Sequence, residues 1–180
     1  MLKGLKIISL VLIYTGVCSL LYLYFSDLKN NSVQENIIAE VFNNEIDIAY
    51  DSDYLGYLSI PIFNIERVIK MGTDSDTLDS GFVGMHRLSG CLSCDDLIIL
   101  AGHNISSVFS KLHDIDIGDF VYINSYNLSR RFIVYDKKVV SEYDFSYLIS
   151  NRKNELLLIT CTMNKGERLL VFLKEDLWIF

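Results

Sequence analysis

The stretch ELLLITCTMNKGERLLVFLK, residues 155–174, decides how this chain folds. Its first half is a run of Leu and Ile that breaks at Thr160 and Cys161; its second half resumes at Arg168 with Leu, Val and Phe. Short apolar runs bounded by polar breaks read as buried β-strands. Two such strands, 155–160 and 168–174, are joined through Cys161 and a six-residue loop containing Gly166. One strand therefore ends at a thiol and the next begins with a guanidinium.

The same texture recurs upstream, in GYLSIPIF (56–63), IERVIKM (65–71), DLIILAG (96–102), DFVYINS (119–125) and RRFIVYDKKVV (130–140). Seven or eight short strands in about 125 residues predict a mainly β domain, a mostly antiparallel barrel or sandwich. SSVFSKLHDI (106–115) predicts a short helix capped by Ser106 or Ser107, with Val108, Leu112 and Ile115 on one face. DFSYLIS (144–150) predicts a further helical turn or two. Residues 54–180 are thus expected to form one folded body.

Ahead of that body, residues 7–25 (IISLVLIYTGVCSLLYLYF) run for nineteen positions without a charge. As a helix this segment is roughly 28 Å long, close to the thickness of a bilayer's hydrocarbon core. Lys3 and Lys6 precede it, whereas Asp27 and Lys29 cancel after it. The positive-inside bias then predicts a cytoplasmic N-terminus (1–6), a single-pass anchor in the cell membrane (7–25) and an extracellular remainder. A cleaved signal peptide competes with this, but its apolar core is usually shorter and ends at small residues, and LLYLYFSDL offers bulky ones.

Residues 26–53 are expected to link anchor and body. From Asn30 to Glu66 there is no Lys or Arg, and seven acids occur. Val33, Ile37, Ile38, Val41 and Phe42 recur at helical spacing, so either an amphipathic helix or a solvated acidic linker fits. The formal charge of −7 argues against nucleic acid, whose binding needs clustered Lys and Arg.

The candidates for chemistry are three histidines and four cysteines. Cys18 lies within the anchor as a small apolar residue, and His113 has no assigned role. His103 follows Gly102 at the end of the strand LIILA, as Cys161 ends its own strand. A thiol, an imidazole and the Arg168 guanidinium at strand ends could converge beside a cleft and support acyl transfer. The thiolate attacks a carbonyl, the imidazole protonates the departing amine, and the cation steadies the oxyanion.

Cys91 and Cys94 form a C-x-x-C motif open to several readings: a redox dithiol, half of a zinc site with His86 and His103, a disulfide, or two free thiols. Zinc on His103 would remove the proton shuttle. TDSDTLD (73–79) could hold a cation, calcium included, or be solvated turns with helix-cap residues.

Leu157 to Cys161 followed by Arg168, with Gly102 and His103 upstream, resembles the sortase family, the membrane-anchored cysteine transpeptidases of Gram-positive surfaces. The family's TLxTC strand end becomes LLITC here, so Leu157 replaces a Thr; being on or near the strand interior, it should alter a core contact and not a catalyst. Segments 56–63, 77–90 and 109–123 also look like the family's opening strand, its loop before the His strand, and its next helix and strand.

The resemblance implies a closed sortase-like barrel and a cysteine transpeptidase with no cofactor. Cys161 would be the nucleophile, His103 the general acid and base, and Arg168 the oxyanion or peptide donor, with Thr160 shaping the groove floor beside the substrate. The implied partners are surface proteins with a C-terminal LPxTG-like sorting signal and an amine of peptidoglycan precursor. GFVGMH around His86 is similar to a loop of class D sortases. The chain shows neither the Asp-Pro-aromatic lid motif nor the C-terminal anchor usual in pilin-polymerising members. The alternatives from other classes are a membrane-tethered C-x-x-C thiol-disulfide or zinc protein, and a non-catalytic scaffold on the same barrel.

Overall fold

The computed structural model describes residues 2–39, 53–126, 128–149 and 151–176. The chain divides into two compact units, Met1–Val33 and Gln34–Phe180. Helix α1 (Leu2–Ile37) contributes residues 2–33 to the first and its last turn, from Gln34, to the second. Its span Lys6–Ile37 is long and apolar enough to cross a membrane, and Leu10, Leu20 and Phe25 lie exposed along it.

The second unit is a closed barrel of eight strands: β1 (Tyr54–Ile60), β2 (Ile65–Met71), β3 (Val83–Met85), β4 (Ile98–Ala101), β5 (Phe120–Ser125), β6 (Leu128–Ser141), β7 (Glu155–Cys161) and β8 (Glu167–Glu175). Around the barrel they run β1-β2-β3-β4-β7-β8-β6-β5. The seven strands expected from sequence are present, and β3 is added from within the loop before the His strand. Three residues with a glycine at the centre carry too short a pattern to register as a strand.

Most pairings are antiparallel, but β2 with β3 and β4 with β7 are parallel. The second exception positions the site. β4 and β7 run side by side with Ala101 opposite Ile159, so both deliver their C-terminal ends to one rim. β8 returns antiparallel to β7 with Arg168 opposite Cys161, so its beginning lies at the same rim.

Side-chain alternation explains the unbroken apolar run in β7. Leu156 and Leu158 face the barrel interior among Leu58, Ile98, Leu100, Phe109, Ile123 and Phe132. Leu157 and Ile159 face outward into a second cluster with Ile99, Leu170 and Phe172, roofed by Tyr147 and Leu148. Leu157 is fully buried, then, but against the outer roof and not in the barrel interior.

The segment 106–115 departs from expectation. Only Ser110–Asp114 is helical, as a 3-10 turn, and neither Ser106 nor Ser107 caps it. Val108, Phe109, Leu112 and Ile115 are all fully buried in the interior. Phe109 lies off the Val108–Leu112–Ile115 stripe yet is buried with it, so the segment turns its apolar side chains into the barrel interior and keeps Ser106, Lys111 and Asp114 at the surface. The turn at Ser146–Leu148 is likewise 3-10.

Within the second unit, residues 34–38 lie against β2. Gln34 Oε1 accepts a hydrogen bond of 2.9 Å from the Val68 amide, which β3 does not reach because its pairing begins at Ile69. Ile38 is buried with Val68 and Phe82. Val41 and Phe42, the rest of the expected amphipathic stripe, lie outside the described residues.

Cys91 and Cys94 form a disulfide in the β3–β4 loop. Leu92 between them enters the core. Arg130, itself buried, donates to the carbonyls of Leu92 (2.9 Å) and Cys94 (2.7 Å) while pairing in a fork with Glu175 (2.7 and 2.5 Å). This loop precedes β4, so it closes the barrel end opposite the rim just described.

Candidate active site

His103, Thr160, Cys161 and Arg168 line one groove of about 390 Å³ at the rim shared by β4, β7 and β8. Each reaches it for a local reason. Cys161 shares the outward face of β7 with Leu157 and Ile159, and at the end of the strand it emerges from beneath the roof as a free, exposed thiol. Thr160, on the inward face, is 2% exposed and donates its hydroxyl to the Gly102 carbonyl at 2.9 Å. Gly102 in turn donates its amide to Ile159 at 3.1 Å. The two strand ends are thereby tied together one residue before the thiol and one before the imidazole.

Gly102 is required by close approach. A Cβ there would lie 2.6 Å from Phe109 Cδ2 and 2.9 Å from Val108 Cγ1. Gly166, with φ of +81°, makes the turn that starts β8, because L side chains rarely adopt that conformation. Arg168 follows it and directs Nη1 to Cys161 Sγ at 3.7 Å. The guanidinium keeps further N–H donors available for a bound carbonyl.

His103 Nε2 lies 2.8 Å from Asp79 Oδ1. Asp79 ends α2 (Ser75–Asp79), a helical turn whose Asp74 cap accepts from the Thr77 amide at 2.9 Å. Those backbone and hydroxyl hydrogen bonds hold the Asp74 carboxyl below the usual carboxylate range. The acidic segment 73–79 thus resolves as a capped turn facing the imidazole. The cap pattern predicts helix but not what the helix faces, so Asp79 had no signal of its own.

The groove is completed by Thr73, Leu78, His86, Phe145, Tyr147, Leu148 and Ile159. Burial, then the neighbouring Arg87, pushes the His86 imidazole down from its ordinary value, and Nδ1 accepts from the Leu88 amide at 3.2 Å. Burial raises the Tyr147 phenol, opposed by the Arg168 charge.

The zinc arrangement conflicts with this geometry. Cys91 and Cys94 are consumed in their disulfide, and the groove holding His86 and His103 contains neither of them. Among the described residues no group of three His, Cys, Asp or Glu side chains is placed to hold a metal ion.

An eight-stranded barrel presenting a free thiol, a guanidinium and an imidazole on one rim defines a class of cysteine-centred barrel proteins. Residues 58–176 match the model of the sortase domain, and the chain belongs to the sortase family. It is 32% identical over 107 residues to Sortase D of Bacillus subtilis (strain 168), covering 59% of this chain and 53% of that relative. The match thus spans about half the length of that curated relative. Among solved structures, sortase C1 of Streptococcus agalactiae is similar with a TM-score of 0.66 and 26% identity, covering 74% of this chain and 72% of that one. Sortase C of Clostridium perfringens SM101 is similar with a TM-score of 0.62 and 26% identity, covering 83% and 87%.

Proposed function

We propose that the protein is a membrane-anchored cysteine transpeptidase that cleaves an LPxTG-like sorting signal between Thr and Gly and transfers the surface protein to an amine of peptidoglycan precursor. The observation that carries this is the meeting of Cys161, Arg168 and His103 in one groove of a sortase-family barrel. The Cys161 thiolate attacks the threonine carbonyl while an Arg168 N–H donates to the oxyanion. His103 protonates the leaving glycine amine, giving a thioacyl enzyme, and then accepts a proton from the incoming amine as the C–S bond breaks. Phe145, Tyr147, Leu148 and Ile159 form an apolar wall for the signal's non-polar residues.

Residues 7–25 serve as the anchor with residues 1–6 in the cytoplasm, residues 26–53 as the connection, and residues 54–180 as the extracellular catalytic domain. The relation to Sortase D and the loop at His86 favour a class D-like enzyme.

The test incubates full-length protein in detergent micelles with a library of LPxTG-like peptides and follows cleavage and adduct mass. Wild type should form a thioacyl adduct on Cys161, and Cys161→Ala should form none and release no glycine fragment. Cleavage by Cys161→Ala at the wild-type rate would refute the nucleophile; a folded wild type without adduct or turnover would favour the scaffold alternative.

A further inference from the structure

We propose that Asp79 is a positioning residue for His103, fixing which imidazole nitrogen exchanges protons during transfer; the inference rests on the transpeptidase function proposed above. Asp79 Oδ1 lies 2.8 Å from His103 Nε2, and among the described residues Asp79 makes no other ion pair. A carboxylate only accepts, so this contact requires the hydrogen of the neutral imidazole to sit on Nε2. The atom left to give and take protons in the groove is then Nδ1. As the C–N bond of the sorting signal breaks, the proton passes from Nδ1 to the leaving amine; as the C–S bond breaks, the acceptor amine returns one to Nδ1. Nε2 keeps its hydrogen, directed at Asp79, throughout.

The placement of the carboxylate also favours a role in orientation over one in folding. Asp79 and His103 side chains are 70% and 39% exposed, and a solvated pair of this kind contributes little to stability. Its support, by contrast, is fixed: α2 is capped by Asp74, Thr77 is buried, and Leu78 enters the groove wall between the cap and the carboxylate. His103 is held from the other side through its carbonyl, which accepts from the Phe109 amide at 3.1 Å. Backbone and ring are therefore anchored independently, and among the described residues the hydrogen bond of the ring is the one to Asp79.

The test uses full-length protein in detergent micelles, with Asp79→Ala and Asp79→Glu measured beside wild type. Asp79→Ala should lower kcat for an LPxTG-like peptide about tenfold to a hundredfold, part of the roughly 10²- to 10⁴-fold that acid–base catalysis supplies. KM should stay within about twofold, and Asp79→Glu should restore most of kcat. Long-range ¹H–¹⁵N spectra of ¹⁵N-histidine protein should show neutral His103 as the Nε2–H tautomer in wild type and a mixture in Asp79→Ala. Wild-type kcat with an unchanged tautomer in Asp79→Ala overturns the proposal, as does a loss confined to KM. If Cys161→Ala is as active as wild type, the transpeptidase function and this inference fall together. If only the Asp79 variants are silent, the inference falls alone.

Discussion

Replacing Gly102 by alanine tests whether packing behind the rim, and not only the groove side chains, holds the site together. The added Cβ would sit 2.6 and 2.8 Å from the Phe109 ring and 2.9 Å from Val108 Cγ1, distances at which something must shift. Phe109 and Val108 are both fully buried, so neither has open space to retreat into. Overpacking of this kind costs about 1–3 kcal/mol, which for a chain of this size lowers Tm by roughly 2–12 °C. The alternative relaxation moves the backbone at Gly102 outward, stretching its bonds to Ile159 and Thr160 and displacing His103, the next residue. A misplacement on the order of 1 Å can cost about a hundredfold in rate. Gly102→Ala should therefore lose both Tm, by scanning calorimetry, and kcat/KM in the peptide assay. Adding Phe109→Leu should recover part of the activity by opening space for the methyl group. A Gly102→Ala protein with Tm within about a degree of wild type and full kcat/KM would refute the packing argument.

Thr160→Val keeps the shape but leaves the buried Gly102 carbonyl without its donor, and should cost about 1–3 kcal/mol in urea unfolding; a neutral result would mean the two strand ends are not coupled through that bond. Because His86 is pushed below its ordinary value of 6.5 in the folded state, the unfolded chain binds more protons as pH falls from about 6.5 towards the folded value, and stability is lost across that window. His86→Gln should remove this part of the acid sensitivity; unfolding free energies that differ from wild type equally at about pH 7.5 and 5.5 would contradict it. Cys91→Ser with Cys94→Ser opens a short loop whose closure is worth about 2 kcal/mol, so urea stability should fall by up to that amount while transpeptidation persists, the loop lying at the far end of β4 from His103. Loss of turnover in that folded double variant would revive the thiol-disulfide alternative.

Several parts of this molecule were written in local pattern. The apolar runs located seven strands because β-branched, leucine and aromatic clusters between polar breaks do not depend on distant partners to be recognised. Cys161, His103 and Arg168 stood out because each sits where such a run stops, and the uncharged stretch 7–25 was legible from length alone. Segment 106–115 misled because helical spacing of Val108, Leu112 and Ile115 looks the same whether the segment lies on a surface or is drawn into a barrel; Phe109, off that stripe, carried the difference.

What tertiary structure alone decided is which ends meet. Nothing local to residues 98–101 or 155–161 states that they pair in parallel, and an antiparallel pairing would have put His103 and Cys161 at opposite ends of the barrel. Strand direction follows from closing the whole sheet, a sum over contacts far apart in the chain. The same holds for Asp79, whose carboxylate finds His103 across 24 residues only because α2 packs over that rim.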